Sequence, residues 1–390
     1  MTRRSRPRLF HLTTVDSSLA ILLLPQLVAF ADAGYEVIGV SAPGPFVAQL
    51  EDAGIRHLPL SNATRSAAPL RDAAALIEFY RLCRRLRPDI VHTHNPKPGL
   101  YGRIAARLAR VPVIVNTIHG LYAVPEDPFA KRALVYGLER IAATCSDMEL
   151  LQNEEDLPVL RKLRIPADHL TLLGNGVDLS RFDPNRWPSG ERARVREEFG
   201  VTREDEVVVG VVGRLVVEKG YRELFSALEL LSDLHGRFRL IVIGANDPAK
   251  SDALSEVEMA RAESLGASFL GWRDDIDRLY LGMDVYVLPS HREGFPRAAM
   301  EAAAMALPVI ATDIRGCRQV VDDEVTGILV PVRDVDRLAA AIRRLIEDQQ
   351  TRGQQATAAR QRALHHFDDR KQVARTLATY ASLGVPARPG

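Results

Sequence analysis

Two stretches of this 390-residue sequence carry residues suited to a phosphate-bearing ligand at the ends of strand-like runs. The first, VVVGVVGRLVVEKG from Val207 to Gly220, is a hydrophobic run that ends in Gly213-Arg214 and reaches Lys219-Gly220 at the mouth of a helical pattern. In open parallel sheets ligands bind beyond the carboxyl ends of the strands, where the unpaired N–H groups and dipole of the next helix attract phosphate. Arginine grips phosphate oxygens in a fork and lysine adds a point charge, so Arg214 and Lys219 suit the charge that grows on a departing diphosphate. Taken alone, strand-Gly-Arg reads as well as a surface turn.

The second stretch is HREGFPRAAMEAAAMALPVI, His291 to Ile310. Glu293 sits in a Gly- and Pro-containing loop, and Glu301 falls about two turns into a segment rich in strong helix formers. Gly294 permits close backbone approach, so Glu293 can accept hydrogen bonds from sugar hydroxyls while neighbouring N–H groups face phosphate. Glu301 can reach vicinal ribose hydroxyls; its alternative reading is a solvated helix face. His119 closes a strand-like run in IHG, and His92 and His94 form an H-x-H in which alternate strand residues point the same way. That pair hints at a metal site, but no third ligand of convincing spacing follows, so both read as strand-end residues lining a cleft.

These residues need strands to carry them. Short apolar runs alternate with helix-length segments along the whole chain, the mark of parallel sheets built from βαβ units. The first half places strands near Leu9–Thr13, Glu36–Ser41, Arg56–Leu60, Asp89–His94, Val113–Thr117, Met148–Leu151 and Leu170–Leu173. Between them Ala73, Ile77, Tyr80 and Leu82 mark Leu70–Leu86 as an amphipathic helix whose arginines fall on its other side. Periodicity stops around GNGVDLSRFDPNRWPSG, Gly174 to Gly190, and begins afresh with strands at Val207–Val212, Arg239–Ile243, Ser268–Leu270, Val285–Leu288, Val309–Thr312 and Gly327–Val330. The expected organisation is an α/β chain with one Rossmann-like domain over 1–180 and a second over 181–366. A terminal helix over 367–390 is expected to pack back on the first domain and end in a frayed tail, Pro386 to Gly390.

Composition narrows the classes. At 46% hydrophobic and 26% charged residues the chain is globular, and its length suits two domains. A net charge of +1 argues against a nucleic-acid binder. The charge is uneven, with ten Lys or Arg against four Asp or Glu from Ala75 to Arg132, and Arg3, Arg4, Arg6 and Arg8 in the same half. The Arg81–Arg110 face therefore invites contact with an anionic membrane, against the plainer reading of a solvated charged surface. The longest apolar run, Leu19 to Phe30, is too short to span a bilayer and holds Pro25 and Gln26, and no secretion signal is evident, so the chain reads as cytoplasmic. Cys83, Cys145 and Cys317 lack metal or redox spacing and read as reduced and structural.

Together the motifs resemble the family 4 glycosyltransferases of the GT-B fold. Glu293-GFPRAAM-Glu301 matches that family's Glu-x7-Glu pattern, and Gly213-Arg214-LVVE-Lys219-Gly220 its GR-x4-KG. The context agrees in order: NGVD at Asn175–Asp178, Ile243-Gly244, GWRDDI at Gly271–Ile276, and LPVIATDIRG followed by VTGILV. The stretch HTHNPKPGLYGRIAARLARVPVIVNTIHG looks like bacterial transferases of capsular, exopolysaccharide or lipid-linked oligosaccharide synthesis. The resemblance implies two Rossmann-like domains facing across a cleft, a nucleoside-diphosphate sugar as donor (UDP being the commonest base), and a glycan or lipid-linked acceptor. It also implies transfer with retention, no required metal and no cofactor.

Residue by residue, it implies that Arg214 and Lys219 bind the diphosphate, Glu293 the sugar and Glu301 the ribose. Gly294 and Phe295 would supply N–H groups, Arg273 would enclose the base, and His119 would stand beside the donor sugar. One departure is the loop after the first strand, TTVDSSLA from Thr13 to Ala20, which lacks the glycines of many relatives. Ser17 and Ser18 then become the contacts on the acceptor side together with His94, while Asp16 reads as a helix cap. The rival readings are a nucleotide-sugar epimerase or sucrose-phosphate-type synthase on the same fold, and a non-catalytic nucleotide-binding module. The G-x-G-x-x-G expected of a dinucleotide-binding module is absent after the first strand.

Overall fold

The computed structural model describes residues 5–66, 68–124, 127–246 and 252–388. Arg3 and Arg4 of the basic N-terminus, and Pro389 and Gly390 of the tail, lie outside the described residues. Two parallel sheets carry the chain. The first is β1 (Arg8–Val15), β2 (Glu36–Ala42), β3 (Arg56–Pro59), β4 (Ile90–His94), β5 (Val113–Ile118), β6 (Met148–Leu151) and β7 (Leu170–Leu172), in the order β3-β2-β1-β4-β5-β6-β7. The second is β8 (Val207–Val212), β9 (Phe238–Ile243), β10 (Ala267–Phe269), β11 (Val285–Leu288), β12 (Val309–Thr312) and β13 (Gly327–Val330), in the order β10-β9-β8-β11-β12-β13. Every strand-like run of the sequence is a strand, with ends that agree or differ by at most two residues, because apolar blocks locate a strand while ladder hydrogen bonds set its ends.

The order reverses between β1 and β4 in the first sheet and between β8 and β11 in the second. At such a point the loops leaving neighbouring strands part to opposite faces and open a crevice at the carboxyl edge. Both faces of each sheet are covered. Phe10, Leu12, Ile38, Val40 and Val91 belong to one core of the first unit, and Leu9, Val37, Ile90, Val113 and Val115 to the other. The second sheet does the same with Val208, Ile241, Tyr286 and Ala311 on one side and Val209, Leu240, Val287 and Ile310 on the other. Burial on both faces is why these strands read as nearly unbroken apolar runs.

The chain divides into two compact units, one running to Gly174 and rejoined from Arg370 onward, the other Asn175–Asp369. The boundary falls before the NGVD motif because Val177 N–H donates to the Phe367 carbonyl at 2.9 Å and Val177 bridges Asp368, tying the motif into the second unit. Helix Asp369–Ser382 belongs with the first unit, where Tyr380 is buried against Phe30 and Tyr35. The tail does not fray up to its last described residues: Val385 and Ala387 pack on that core and the Tyr35 hydroxyl donates to the Val385 carbonyl at 2.7 Å.

Helix Pro69–Leu86 corrects a detail of the periodicity reading. Its buried line is Ala75, Phe79 and Cys83, while Ala73 is exposed and Ile77 stands 48% exposed. Apolar residues occur on more than one side of this helix, and packing on the sheet selects the side with Phe79. Cys83 and Cys317 are buried free thiols and Cys145 is half-buried.

Candidate functional site

In the second unit the buried run Val207–Val212 delivers Gly213 and Arg214 to the carboxyl edge of β8. Gly213 N–H donates to the Ile243 carbonyl at 2.9 Å, and its own carbonyl accepts from the Tyr221 hydroxyl at 2.9 Å, which fixes the turn. Arg214 is exposed, and its side chain makes no hydrogen bond or ion pair to a described residue. Lys219 reaches across to the loop after β11, where Nζ donates to Glu293 Oε1 at 2.6 Å with both side chains largely buried. The two motifs are thus joined at the switch point of the second sheet.

Two glycines allow that join. Gly220 adopts φ +74°, and a Cβ there would overlap the Pro289 carbonyl at the end of β11. Gly316 lies against the backbone of Glu293, which a side chain would push away. The Glu293 loop is further held by Phe295, whose ring packs edge-on against Phe367 and whose carbonyl accepts from Asn175 Nδ2 at 3.4 Å. Gly294 lies between these two anchors.

Glu301 lies inside helix Arg297–Ala304 and is 8% exposed, which rules out the solvated-face reading. Its Oε1 accepts from Arg297 Nε at 3.0 Å, one helical turn away, and its Oε2 accepts from the buried Tyr280 hydroxyl at 3.4 Å. Burial raises its pKa above the ordinary carboxylate value, with Arg297 opposing. A carboxyl raised in the folded state favours folding when protonated, and this contribution is lost as pH rises through the folded value. Arg297 and Tyr280 are supporting residues that motif reading passed over. The i, i+4 spacing of Arg297 and Glu301 was the signal available for one of them.

Arg273, expected to enclose a base, is paired within the protein. Its Nε and Nη2 donate to Asp275 at 2.8 and 2.7 Å and its Nη1 to Glu198 at 2.7 Å, so its guanidinium is spent in an ion-pair cluster that also includes Arg278. A cavity of about 930 Å³ lined by Arg192, Arg196, Arg203 and Asp284 lies at the opposite, amino end of β8 and β11. Its arginines are paired, Arg192 and Arg196 with Asp284 and Arg203 with Asp205, and it takes no part in the site.

In the first unit the side-chain period of two puts His11, His92, His94 and Thr117 on one face of the sheet, beside Phe30 and Tyr380. Register completes the cluster: His11 pairs with His92, and His94 with Thr117. His11 is therefore a third histidine that linear spacing did not reveal, and the three rings offer nitrogens within 4.8 Å of one another. The rings of His92 and His94 are stacked at 4.3 Å and 25°, so their in-plane lone pairs do not converge on one ion, and both His92 nitrogens are engaged by Tyr380 and Thr117. His94 is 2% exposed, buried under this stack.

His119 follows β5, half-buried, with Nε2 facing His94 Nδ1 at 3.1 Å and Nδ1 facing Gln152 Oε1 at 3.0 Å. Burial lowers the pKa of His119 to about 4 and of His11 to about 3. Ser17 and Ser18 are half-buried at the start of a π-helical turn, Ser18–Leu23, that takes the place of a glycine-rich loop. Asp16 does not cap a helix there by reaching into its first turn. It accepts from Ser17 N–H at 2.8 Å and Phe46 N–H at 2.7 Å, tying the loops after β1 and β2 together.

Two family models match the chain in tandem: Glycosyltransferase Family 4 over residues 26–181 and Glycosyl transferases group 1 over residues 194–362. A UDP-Gal:alpha-D-GlcNAc-diphosphoundecaprenol alpha-1,3-galactosyltransferase of Escherichia coli is 31% identical over 312 residues, 78% of each chain. The capsular polysaccharide biosynthesis glycosyltransferase CapM of Staphylococcus aureus is 27% identical over 350 residues, covering 88% of this chain and 89% of that one. Among solved structures, Anabaena Alr3699/HepE in complex with UDP superposes with a TM-score of 0.79 at 22% identity, covering 96% of this chain and 100% of that one.

Proposed function

Because this chain belongs to the family 4 glycosyltransferases of the GT-B fold, we propose that it moves a sugar from a UDP-sugar to a lipid-linked saccharide in cell-surface polysaccharide synthesis. Transfer proceeds with retention and without a metal. The observation that carries this reading is the Lys219–Glu293 pair beside an exposed Arg214 at the switch point of the second sheet. The base and the acceptor class are supported by the E. coli relative, whose name gives a UDP-sugar donor and a diphosphoundecaprenol acceptor, and by the UDP and UDP-glucose complexes of HepE.

In this reading Arg214 and Lys219 hold the diphosphate, Glu293 accepts from sugar hydroxyls and steadies Lys219, and Glu301 accepts from the ribose. Gly294 and Phe295 present backbone N–H groups, and His119 faces the sugar. The bond from the anomeric carbon to the phosphate oxygen breaks, and the acceptor hydroxyl oxygen bonds that carbon on the same face. The acceptor proton passes to the departing diphosphate. Two cations stabilise the leaving charge, which is the work a divalent ion would otherwise do. With its side chain paired to Asp275 and Glu198, Arg273 serves the base through the shape of its loop. Calorimetric titration of UDP into the protein in EDTA tests the donor site. Saturable binding that Glu301→Ala abolishes supports it, and no heat from UDP, GDP or ADP removes it.

A lipid-linked acceptor calls for a membrane surface, and we place it on the first unit, at the cytoplasmic face. Arg81, Arg84, Arg85 and Arg110 are exposed, but Arg103 leaves the expected basic face: it is fully buried and paired with Glu139 and Glu149 at 2.7 Å. Helix Phe129–Ala143 adds apolar surface, with Phe129 78%, Leu134 64% and Ile141 57% exposed beside an exposed Arg140. Apolar and basic groups together anchor more firmly than either alone. Among the described residues no helix is long and apolar enough to cross a membrane. The protein is expected to sediment with phosphatidylglycerol vesicles at low salt, and Arg84→Glu with Arg85→Glu to weaken this by at least tenfold, each lost cation being worth about 1 kcal/mol. No binding by the wild-type chain sinks the membrane reading.

A further inference from the structure

Strands β1, β4 and β5 set His11, His94 and His119 in one hydrogen-bonded line that ends on Gln152, and the proton positions along it have one self-consistent arrangement. The Gln152 carbonyl oxygen accepts, so His119 Nδ1, 3.0 Å away, carries its hydrogen. The neutral ring then has a bare Nε2, which accepts from His94 Nδ1 at 3.1 Å. His94 Nε2 in turn accepts from His11 Nδ1 at 3.0 Å. The line ends at His11 Nε2, buried and without a hydrogen-bond partner among the described residues, where the remaining lone pair is left. The opposite arrangement would aim a lone pair of His119 at a carbonyl oxygen and bury an unpaired N–H at His11, and both faults disfavour it.

We propose that His94 and His11 are positioning residues for His119, holding its ring neutral in the Nδ1–H tautomer with Nε2 occupied, so that it meets the sugar as a fixed surface and not as a proton carrier. This rests on the assignment of His119 to the donor sugar. His92 stands beside the line and braces it, with Nδ1 to the Tyr380 hydroxyl at 2.5 Å and Nε2 to Thr117 Oγ1 at 2.7 Å. The groups packed on the line are Phe30, stacked 5.5 Å from His11, Tyr380 from the C-terminal helix, Thr117 and Gln152. Burial opposes protonation of His94 most, and the charges that bear on it, those of His92, His11 and His119, oppose it as well. A proton added to the line has one vacant seat, His11 Nε2, under the Phe30 ring.

Long-range nitrogen–proton correlation NMR on histidine-labelled full-length protein tests this from pH 5 to 8, with His119→Gln used only to assign the signal. In the wild type His119 shows the Nδ1–H pattern and does not titrate. In His94→Leu the Nε2 signal moves to that of a bare lone pair, and the pKa of His119 rises above its buried wild-type value of about 4, so that kcat/KM begins to fall at the acid end of the range. His94→Gln, whose amide can donate to the same nitrogen, restores the flat profile. An Nε2–H tautomer, titration of His119 in the wild type, or displacement of the ring signals by one equivalent of Zn²⁺ overturns the proposal. If the NMR result holds while His119→Gln turns over normally, the positioning line stands and the sugar assignment of His119 fails.

Discussion

Lys219→Ala and Glu293→Ala are each expected to lower the turnover of sugar transfer by about a hundred- to a thousandfold while leaving the chain folded. Lys219 supplies one of two cations for a leaving group whose charge grows in the transition state, so its loss falls on kcat more than on KM. Glu293 is bonded to it at 2.6 Å, and removing either leaves the other partly buried and unpaired. The two effects should therefore be less than additive: the double variant is expected to lose little beyond the worse single one. Near-normal turnover by either single variant, or independent losses that multiply, would detach the pair from the chemistry. Thermal melts of both variants within a few degrees of wild type separate this loss from unfolding.

Gly220→Ala is expected to destabilise the second unit by roughly 2–5 kcal/mol, from about 1–2 kcal/mol for a side chain at positive φ and the rest from displacing the Pro289 backbone. The overlap is with a carbonyl at the end of β11 and not with a flexible side chain, so relief must move the strand end that leads to Glu293. Donor affinity should fall along with stability. Gly353→Ala is the matched control: it lies inside helix Gln349–His366 with open space around it, and there alanine should stabilise by about 0.5–1 kcal/mol. Urea melts of the two variants read the contrast. Equal behaviour would mean that the Lys219-Gly220 turn is not constrained as described.

The sheets were legible because doubly covered parallel strands are written as short apolar blocks, and β6, β8, β11, β12 and β13 begin and end where the sequence places them. The donor-side motifs were legible for a related reason. Arg214, Lys219 and Glu293 each stand just past such a block, where a switch point has its crevice. What stayed hidden depends on register or on long-range pairing. His11 lies 81 residues from His92 along the chain and beside it only once β1 pairs with β4. Arg103 looked like one more basic surface residue until Glu139 and Glu149 enclosed it. Arg273 has a partner two residues away, Asp275, but its other partner, Glu198, comes from a distant helix.

The same reasoning explains the face of helix Pro69–Leu86, where several apolar residues compete and only the sheet beneath decides among them. It also explains Asp16, whose helix-cap reading fails because Phe46 N–H, from a loop thirty residues on, claims its second oxygen.

The proposed reaction is sugar transfer from a UDP-sugar with retention and without a metal. Incubating the protein in EDTA with a panel of UDP-sugars and diphospho-undecaprenol-linked saccharides, then reading the anomeric configuration of the lipid product by NMR, tests it most directly. The expected product is a lengthened lipid-linked saccharide whose new linkage keeps the α or β configuration of the donor, with UDP released in equal amount. An inverted linkage, a strict requirement for a divalent ion, or a free epimerised nucleotide sugar in place of a lengthened lipid would contradict it.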